Sequence, residues 1–359
     1  MRGPCPGLNS LANHNFIPHN GIVTLLASIQ ASLNVYGMAL EAATFAGALG
    51  ALYGGDLSDP TFPYSIGNPP PVGLLGGILG GLGLFGRPSG LSFTHNQFES
   101  DTSATRGDYF QFNGDAHHLQ MPAFQELYNL QPESPDANYN RTVILAHRLK
   151  RIQDSVQQNP YFFYGPVQMV ITCLTTALIP ALMSNHSSEH PDGILSNNVL
   201  KSIYGVTGQN GSLVYTPGTE RIPDNWYRRP ILDPYGALHV VEDIIAMGLY
   251  DPQILLFGGN TNGPNTFAPL DLDDFTGGVY NAASLLQGNN AACFVFQAAQ
   301  LLFPSSINGL LGQIVLSVLQ KVLDSIGGIL ADLTCPELAA VNASMLEQYP
   351  GYRKSSHAV

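Results

Sequence analysis

The sequence predicts a mostly α-helical single domain with long loops, spanning residues 1–359. Three observations carry this. Apolar residues recur at helical spacing through several long runs. Stretches rich in Gly and Pro separate those runs. No internal repeat divides the chain, and its length is within reach of one domain.

The elements follow in order. Pro6 suits the first position of a helix, where a backbone N–H is not needed, so a helix begins directly after Cys5. The run 24–52, TLLASIQASLNVYGMALEAATFAGALGAL, reads as helical, with Gly37, Gly47 and Gly50 at sites of ordinary close helix packing. Residues 56–92 read as a long loop. Within it, 73–86 (GLLGGILGGLGLFG) is apolar but too short to span a bilayer, so an apolar surface loop or lip is expected.

The segment 140–158, NRTVILAHRLKRIQDSVQQ, places Val143, Ile144, Ala146, Leu149 and Ile152 on one helical face. It stops before Asn159-Pro160, because the residue preceding proline is driven out of the helical region. A second apolar helix is expected over 166–184. Residues 205–233 look irregular, with Leu213–Tyr215 as a short hairpin strand; 234–247 and 271–287 are further helices. Residues 307–333 keep helical apolar spacing but include Gln313, Lys321, Asp324 and Asp332, so they suit a core-packed helix rather than a membrane span.

Charge narrows the function. The formal net charge is −12 and no basic cluster occurs, which argues against a nucleic-acid partner. Only 11% of residues are charged, and N-x-S/T sequons occur at Asn140, Asn185, Asn210 and Asn342. Together these point to a secreted glycoprotein, although no signal peptide is visible. The cysteines (Cys5, Cys173, Cys293, Cys335) form no zinc spacing.

The opening segment PCPGLNSLANHNFIPHNG, residues 4–21, carries the chemistry. Pro4 and Pro6 fix the backbone on both sides of Cys5. The N–H groups of Gly7 and Leu8 are placed to point back at the sulfur, and the positive helix end stabilises a thiolate. On residues alone the thiol is a nucleophile, a redox thiol, a metal ligand such as an axial haem ligand, or half of a structural disulfide.

This segment closely resembles the N-terminal signature of the fungal haem-thiolate peroxidases, the chloroperoxidase and unspecific peroxygenase family. The resemblance implies that Cys5 is the axial ligand of a haem b iron, whose thiolate favours O–O cleavage. A second segment, Phe98-Glu99-Ser100-Asp101-Thr102-Ser103-Ala104-Thr105-Arg106, resembles the acidic motif that holds Mg²⁺ beside a haem propionate in long-chain members. It implies Glu99, the Ser100 carbonyl, Asp101 and the Ser103 hydroxyl as ligands. Lys150–Ser155 with Asn159-Pro160 resembles a third family segment. The long members also carry a late disulfide, which implies a Cys293–Cys335 bond. The matches cover most of residues 4–340.

One region departs from the pattern. The family places a Glu over the distal haem face, with an Arg seven residues before it in long members. Aligned from Asn159-Pro160, those positions hold Thr175 and Gln168; aligned from Pro180, they hold Thr176 and Met169. Thr cannot act as a base at neutral pH, and general acid–base help is worth roughly 10²–10⁴-fold. His95, His117, His118, His186, Glu189 and His190 are the other candidates for the missing group. Cys173 reads as a small buried hydrophobe, with a distal-pocket thiol as the sharper alternative. Phe98, Val170, Ile171, Leu174 and Ile179 are expected to line an apolar substrate channel.

The resulting expectation is a peroxide-dependent haem-thiolate peroxidase or peroxygenase with an altered distal site, acting on apolar or aromatic substrates. The alternatives are a haem-thiolate dehydratase or isomerase that needs no peroxide, and a haem- or ligand-binding protein without catalysis.

Overall fold

Cys5 is the N-cap of helix α1 (Pro6–Asn13), in extended conformation, with Pro6 at the first helical position as the sequence requires. A computed structural model describes residues 1–57, 59–70, 88–302, 317, 320 and 334–356. The loop at 73–86 lies outside the described residues, as does nearly all of the helix expected over 307–333.

The run 24–52 is not one helix. It divides into α2 (Leu25–Ala31), capped by the Thr24 hydroxyl, a wider π-helical turn (Ser32–Tyr36), and α3 (Leu40–Gly54). Gly37 stops the turn at φ 71°, and a Cβ there would sit 2.8 Å from the Arg229 carbonyl. Residues 38–39 then pair with distant backbone, the Ala39 N–H donating to the Tyr235 carbonyl at 2.9 Å. Tertiary hydrogen bonding at this point overrides the helical propensity of the flanking residues.

Short strands β1 (Ile22–Thr24) and β2 (Pro63–Ser65) pair antiparallel around α2 and α3. Helix α4 (Met121–Tyr128) precedes α5 (Arg141–Gln158), whose N-cap Asn140 accepts from the Val143 N–H. Helix α5 ends at Asn159 in extended conformation, before Pro160. Strand β3 (Phe163–Tyr164) leads into α6 (Pro166–Met183). Helix α7 (Asn197–Ile203) is followed by the hairpin β4 (Val206–Thr207) and β5 (Val214–Tyr215), which coincides with the expected strand to within a residue.

Helix α8 (Ala237–Tyr250) follows, and the antiparallel strands β6 (Gly258–Asn260) and β7 (Phe267–Pro269) join β3 in a three-stranded sheet in the order β3-β6-β7. The helix expected over 271–287 is instead α9 (Leu272–Thr276) and α10 (Ala282–Leu285), separated by Gly277 and Gly278, both with positive φ. Two glycines in that conformation end a helix at little steric cost. Helices α11 (Asn290–Leu302) and α12 (Pro350–Ser356) follow. Cys293 in α11 is disulfide-bonded to Cys335, with Cα atoms 5.6 Å apart.

Helix α6 organises the interior. Met169, Val170, Cys173, Ala177 and Leu182 join a large core with α3, α8 and α11, while Ile179 and Met183 join a second core with α4, α7 and Tyr139. Its length and apolar composition would suit a membrane span, but 67% of it is buried inside the protein. Cys173 is 2% exposed, and burial pushes its thiol up to about 12. It is a core side chain on the α8 and α11 side of α6, which agrees with the bland reading of this residue.

A buried guanidinium ties α5 to α6. Arg148 donates to the carbonyl and hydroxyl of Thr102 and to the Tyr164 hydroxyl, and lies 5.2 Å from the centroid of the Tyr164 ring. The Tyr164 hydroxyl also meets the Thr172 hydroxyl of α6 at 2.5 Å. Removing that phenolic oxygen leaves the buried Arg148 Nη2 without its acceptor, while Thr172 keeps its bond to the Gln168 carbonyl. Tyr164→Phe is therefore expected to lower stability by about 1–3 kcal/mol, read as a reduced denaturant midpoint with unchanged slope.

Candidate active site

The Cys5 segment is held from three sides. The Gly3 N–H and carbonyl both bond the Asn9 side chain at 2.9 Å, which folds the chain entry back onto the first turn of α1. A Cβ on Gly3 would come within 1.8 Å of the Ile66 carbonyl, so only glycine fits here. Asn13 donates to the carbonyls of Gly218 and Glu220 at 3.0 and 2.7 Å. The Tyr36 hydroxyl meets the Ser10 hydroxyl at 2.7 Å and donates to the Gly7 carbonyl at 3.0 Å, beneath the turn that carries the sulfur.

Burial pushes the Cys5 thiol up, while the Gly7 and Leu8 amides and the Arg106 charge pull it down. The two amides act on the sulfur without closing a hydrogen bond of standard geometry. The cysteine keeps a partly open surface. The sulfur thus has an electropositive helix end on one side and an approach on the other, set against the burial that raises its pKa.

Arg106 brings the second motif to the first. Its Nε donates to the Pro4 carbonyl at 3.1 Å, next to Cys5, and its Nη2 lies 3.8 Å from the Glu220 carboxylate. Glu220 in turn accepts from Asn9 at 3.0 Å. Both charged side chains are almost fully buried. Arg106 Nη1 and Nη2 and Glu220 Oε2 have no hydrogen-bond partner within the protein. A buried guanidinium with two unpartnered nitrogens suits an anionic group of a bound molecule.

The acidic segment is buried as well. Glu99 accepts from His95 Nδ1 at 2.9 Å through one oxygen, and its other oxygen has no partner. The Ser100 hydroxyl is likewise unpartnered. Asp101 is committed on both oxygens, to the Tyr109 N–H at 3.1 Å and the Asn159 side chain at 2.8 Å. Asn159 also donates to Asp108, so one amide holds two carboxylates. The Ser103 hydroxyl accepts from the Arg106 N–H at 3.3 Å.

Burial raises Glu99, with His95 opposing; burial and the neighbouring Asp108 raise Asp101 well above the carboxylate range. Burial works against the His95 charge, but Asp101 and Glu99 hold its pKa above the ordinary value. Concentrated buried negative charge with unpartnered oxygens fits a hard cation.

The same loop reaches α6. Gln168 donates to the Asn96 carbonyl at 2.7 Å, one residue from His95. Along α6, Gln168 and Thr175 are two helical turns apart and share a face. Thr175 is exposed on that face, whereas Thr176 and Met169 are buried. Gln168 is buried as well, so of the four aligned positions Thr175 alone is exposed. Ile171, between Gln168 and Thr175, is buried but lies outside both core clusters.

The expected channel residues do not share one face. Val170 lies in the large core, with Leu174 and Phe98 packed against it, and Ile179 belongs to the second core. The other candidate bases also separate. His95 is buried on Glu99, stacked on Tyr109 at 4.5 Å. His117 and His118 gather on Asp115. His186 meets the Pro191 carbonyl, in the same loop as the exposed Glu189 and His190. Sequence reasoning missed Glu220 and the roles of Arg106 and Tyr36. Asn9 and Asn13, four residues apart on one face of α1, were the available signal for a partner there.

The model of the family described as "Peroxidase, family 2" matches residues 1–231. The chain belongs to this family, the fungal haem-thiolate peroxidases. A dothistromin biosynthesis peroxidase of Dothistroma septosporum is 42% identical over 98% of this chain and 82% of its own length. An aromatic peroxidase of Fusarium equiseti is 37% identical over 94% and 76%, and an aromatic peroxygenase of Cyclocybe aegerita is 31% identical over 64% and 55%. The protein is accordingly a peroxide-dependent oxidoreductase of the peroxidase and peroxygenase type, and its family implies haem iron.

One pH dependence follows from the packing of α5 on the acidic segment. His147 is 1% exposed, meets the Ala104 carbonyl at 2.7 Å through Nε2, and is pushed down to about 4 by burial. The unfolded chain binds this proton near pH 6.5 and the folded one near 4, so stability is full above 6.5 and falls as pH drops through that window. The loss reaches about 3 kcal/mol. His147→Gln keeps a donor for the carbonyl and should flatten this component, read as the difference between the two melting profiles from pH 7 to 4.

Proposed function

We propose that this peroxidase binds haem through Cys5 and uses peroxide to oxidise small apolar or aromatic substrates, without a carboxylate base on α6. The observation that supports the ligand assignment is the partly open Cys5 sulfur held at the N-terminus of α1 between Pro4 and Pro6, where the Leu8 and Gly7 amides and the Arg106 charge oppose the burial that raises its pKa. When bound, the haem iron supplies the oxidising chemistry, and a coordinating thiol is deprotonated outright.

The chain's own residues do the rest. Pro4, Pro6 and the Asn9 bonds to Gly3 hold the thiolate in one orientation. Arg106 offers its unpartnered Nη1 and Nη2 to the carboxylate edge of the cofactor. Glu99, the Ser100 carbonyl and the Ser103 hydroxyl are proposed to take one Mg²⁺. Asp101 stands behind them, fixing Tyr109 and Asn159. Gln168 is anchored on the Asn96 carbonyl, so it positions the loop rather than moving a proton. Thr175 presents a hydroxyl to the open face of α6 and can orient peroxide by hydrogen bonding without accepting its proton. The aromatic names of the relatives support an aromatic substrate.

The exposed sequons at Asn140, Asn210 and Asn342 support secretion. The Asn185 amide is already bonded to Tyr227 and Asn225.

Thr175→Glu should raise the rate of reaction with H₂O₂, within the roughly 10²–10⁴-fold range of general acid–base help, whereas Thr176→Glu buries a carboxylate and should cost stability instead. Stopped-flow measurement of the Soret change on peroxide addition reads the first, and thermal denaturation the second. An unchanged rate in Thr175→Glu would show that this face is not the distal one. Cys5→Ala should abolish the thiolate signature in the reduced-CO spectrum; its persistence would refute the ligand assignment.

A further inference from the structure

The loop after the acidic motif carries a second constellation. Asp115, His117 and His118 are, among the described residues, the group of three metal-ligating side chains whose donor atoms all lie within 4.8 Å of one another. His118 Nδ1 is 3.1 and 3.0 Å from the two Asp115 oxygens, and His117 Nδ1 is 3.5 Å from Oδ1. Ligands bound to a tetrahedral first-row ion at about 2.0–2.1 Å lie about 3.3 Å from each other. The two histidine–Asp115 separations fall on either side of that value, and the two histidine nitrogens lie within 4.8 Å of each other.

A second observation is independent of the clustering. The His117 side chain is only 14% exposed, and its Nδ1 is buried without a hydrogen-bond partner. Buried polar nitrogens are rarely left so, and an ion bound between the three side chains would satisfy this one. The backbone is also fixed. Leu119 bridges Arg106, and the Gln120 N–H donates to the Thr105 carbonyl at 2.8 Å. The three donors therefore sit on a turn strapped to the chain that carries Arg106.

We propose that Asp115, His117 and His118 form a binding site for a divalent first-row transition ion, separate from the acidic segment. Two imidazoles and one carboxylate select Zn²⁺, Cu²⁺ or Ni²⁺ over Mg²⁺ and Ca²⁺, which prefer all-oxygen sites. Three protein ligands leave coordination positions for water or a small anion. An ion there cross-links the turn at 115–118 and stiffens the strap beside Arg106.

The test uses the haem-loaded protein, freed of adventitious metal by chelation. Zn²⁺ titration by calorimetry should show a site whose affinity falls roughly tenfold or more in Asp115→Asn and in His118→Ala. His239→Ala, which removes the histidine paired with Asp233, should leave it unchanged. With Cu²⁺ as the probe, electron paramagnetic resonance should show coupling to two imidazole nitrogens, and to one in His117→Ala. Undiminished Zn²⁺ affinity in Asp115→Asn and His118→Ala, an unchanged coupling pattern in His117→Ala, or no Zn²⁺ binding by the unaltered protein would each overturn the proposal.

Discussion

The Arg106 guanidinium lies out of water, against the carbonyl of Pro4 and within 3.8 Å of the Glu220 carboxylate. Both charges are costly to bury, and the pair is only partly satisfied within the protein. Asn9 completes part of the set by binding both Glu220 and Gly3. Segments about a hundred residues apart in the chain thereby meet around Cys5. Without the guanidinium, the Pro4 carbonyl would lose its link to the acidic segment, and Glu220 would be left as an uncompensated buried charge.

Three further polar contacts carry this alignment outward. Asn159 fixes Asp101 and Asp108 together, Arg148 fixes Thr102 to Tyr164, and Gln168 fixes the Asn96 carbonyl to α6. Each uses a buried side chain to satisfy backbone or carboxylate groups that no secondary structure covers. The acidic segment has almost no regular structure of its own. Its shape is imposed by α5 and α6, and burial raises the pKa of both Glu99 and Asp101, as holding carboxylates together out of water requires.

The face of α6 shows how a family pattern can be kept in one half of a site and altered in the other. The proximal half retains its thiol, prolines and asparagines. On the distal helix Gln168 is occupied in positioning a loop, and Thr175 offers only a hydroxyl.

Much of this was legible before any coordinates. Pro-Cys-Pro set the helix start because proline has one favourable place there, Asn159-Pro160 set a helix end through local sterics, and apolar periodicity located α5 and α6. The family was legible in three short segments. The division of 24–52 at Gly37 was not, because it depends on backbone pairing with Tyr235. Nor was the choice between Thr175 and Thr176, since adjacent helix positions point about 100° apart and only packing shows which direction is open. The sequence by itself determined which groups are available, because local sterics and spacing act over a few residues. Tertiary structure alone decided which of them meet, because buried charge pairs such as Arg106 and Glu220 are chosen by long-range desolvation and geometry; Asn9 and Asn13 mark that α1 has a partner without saying which.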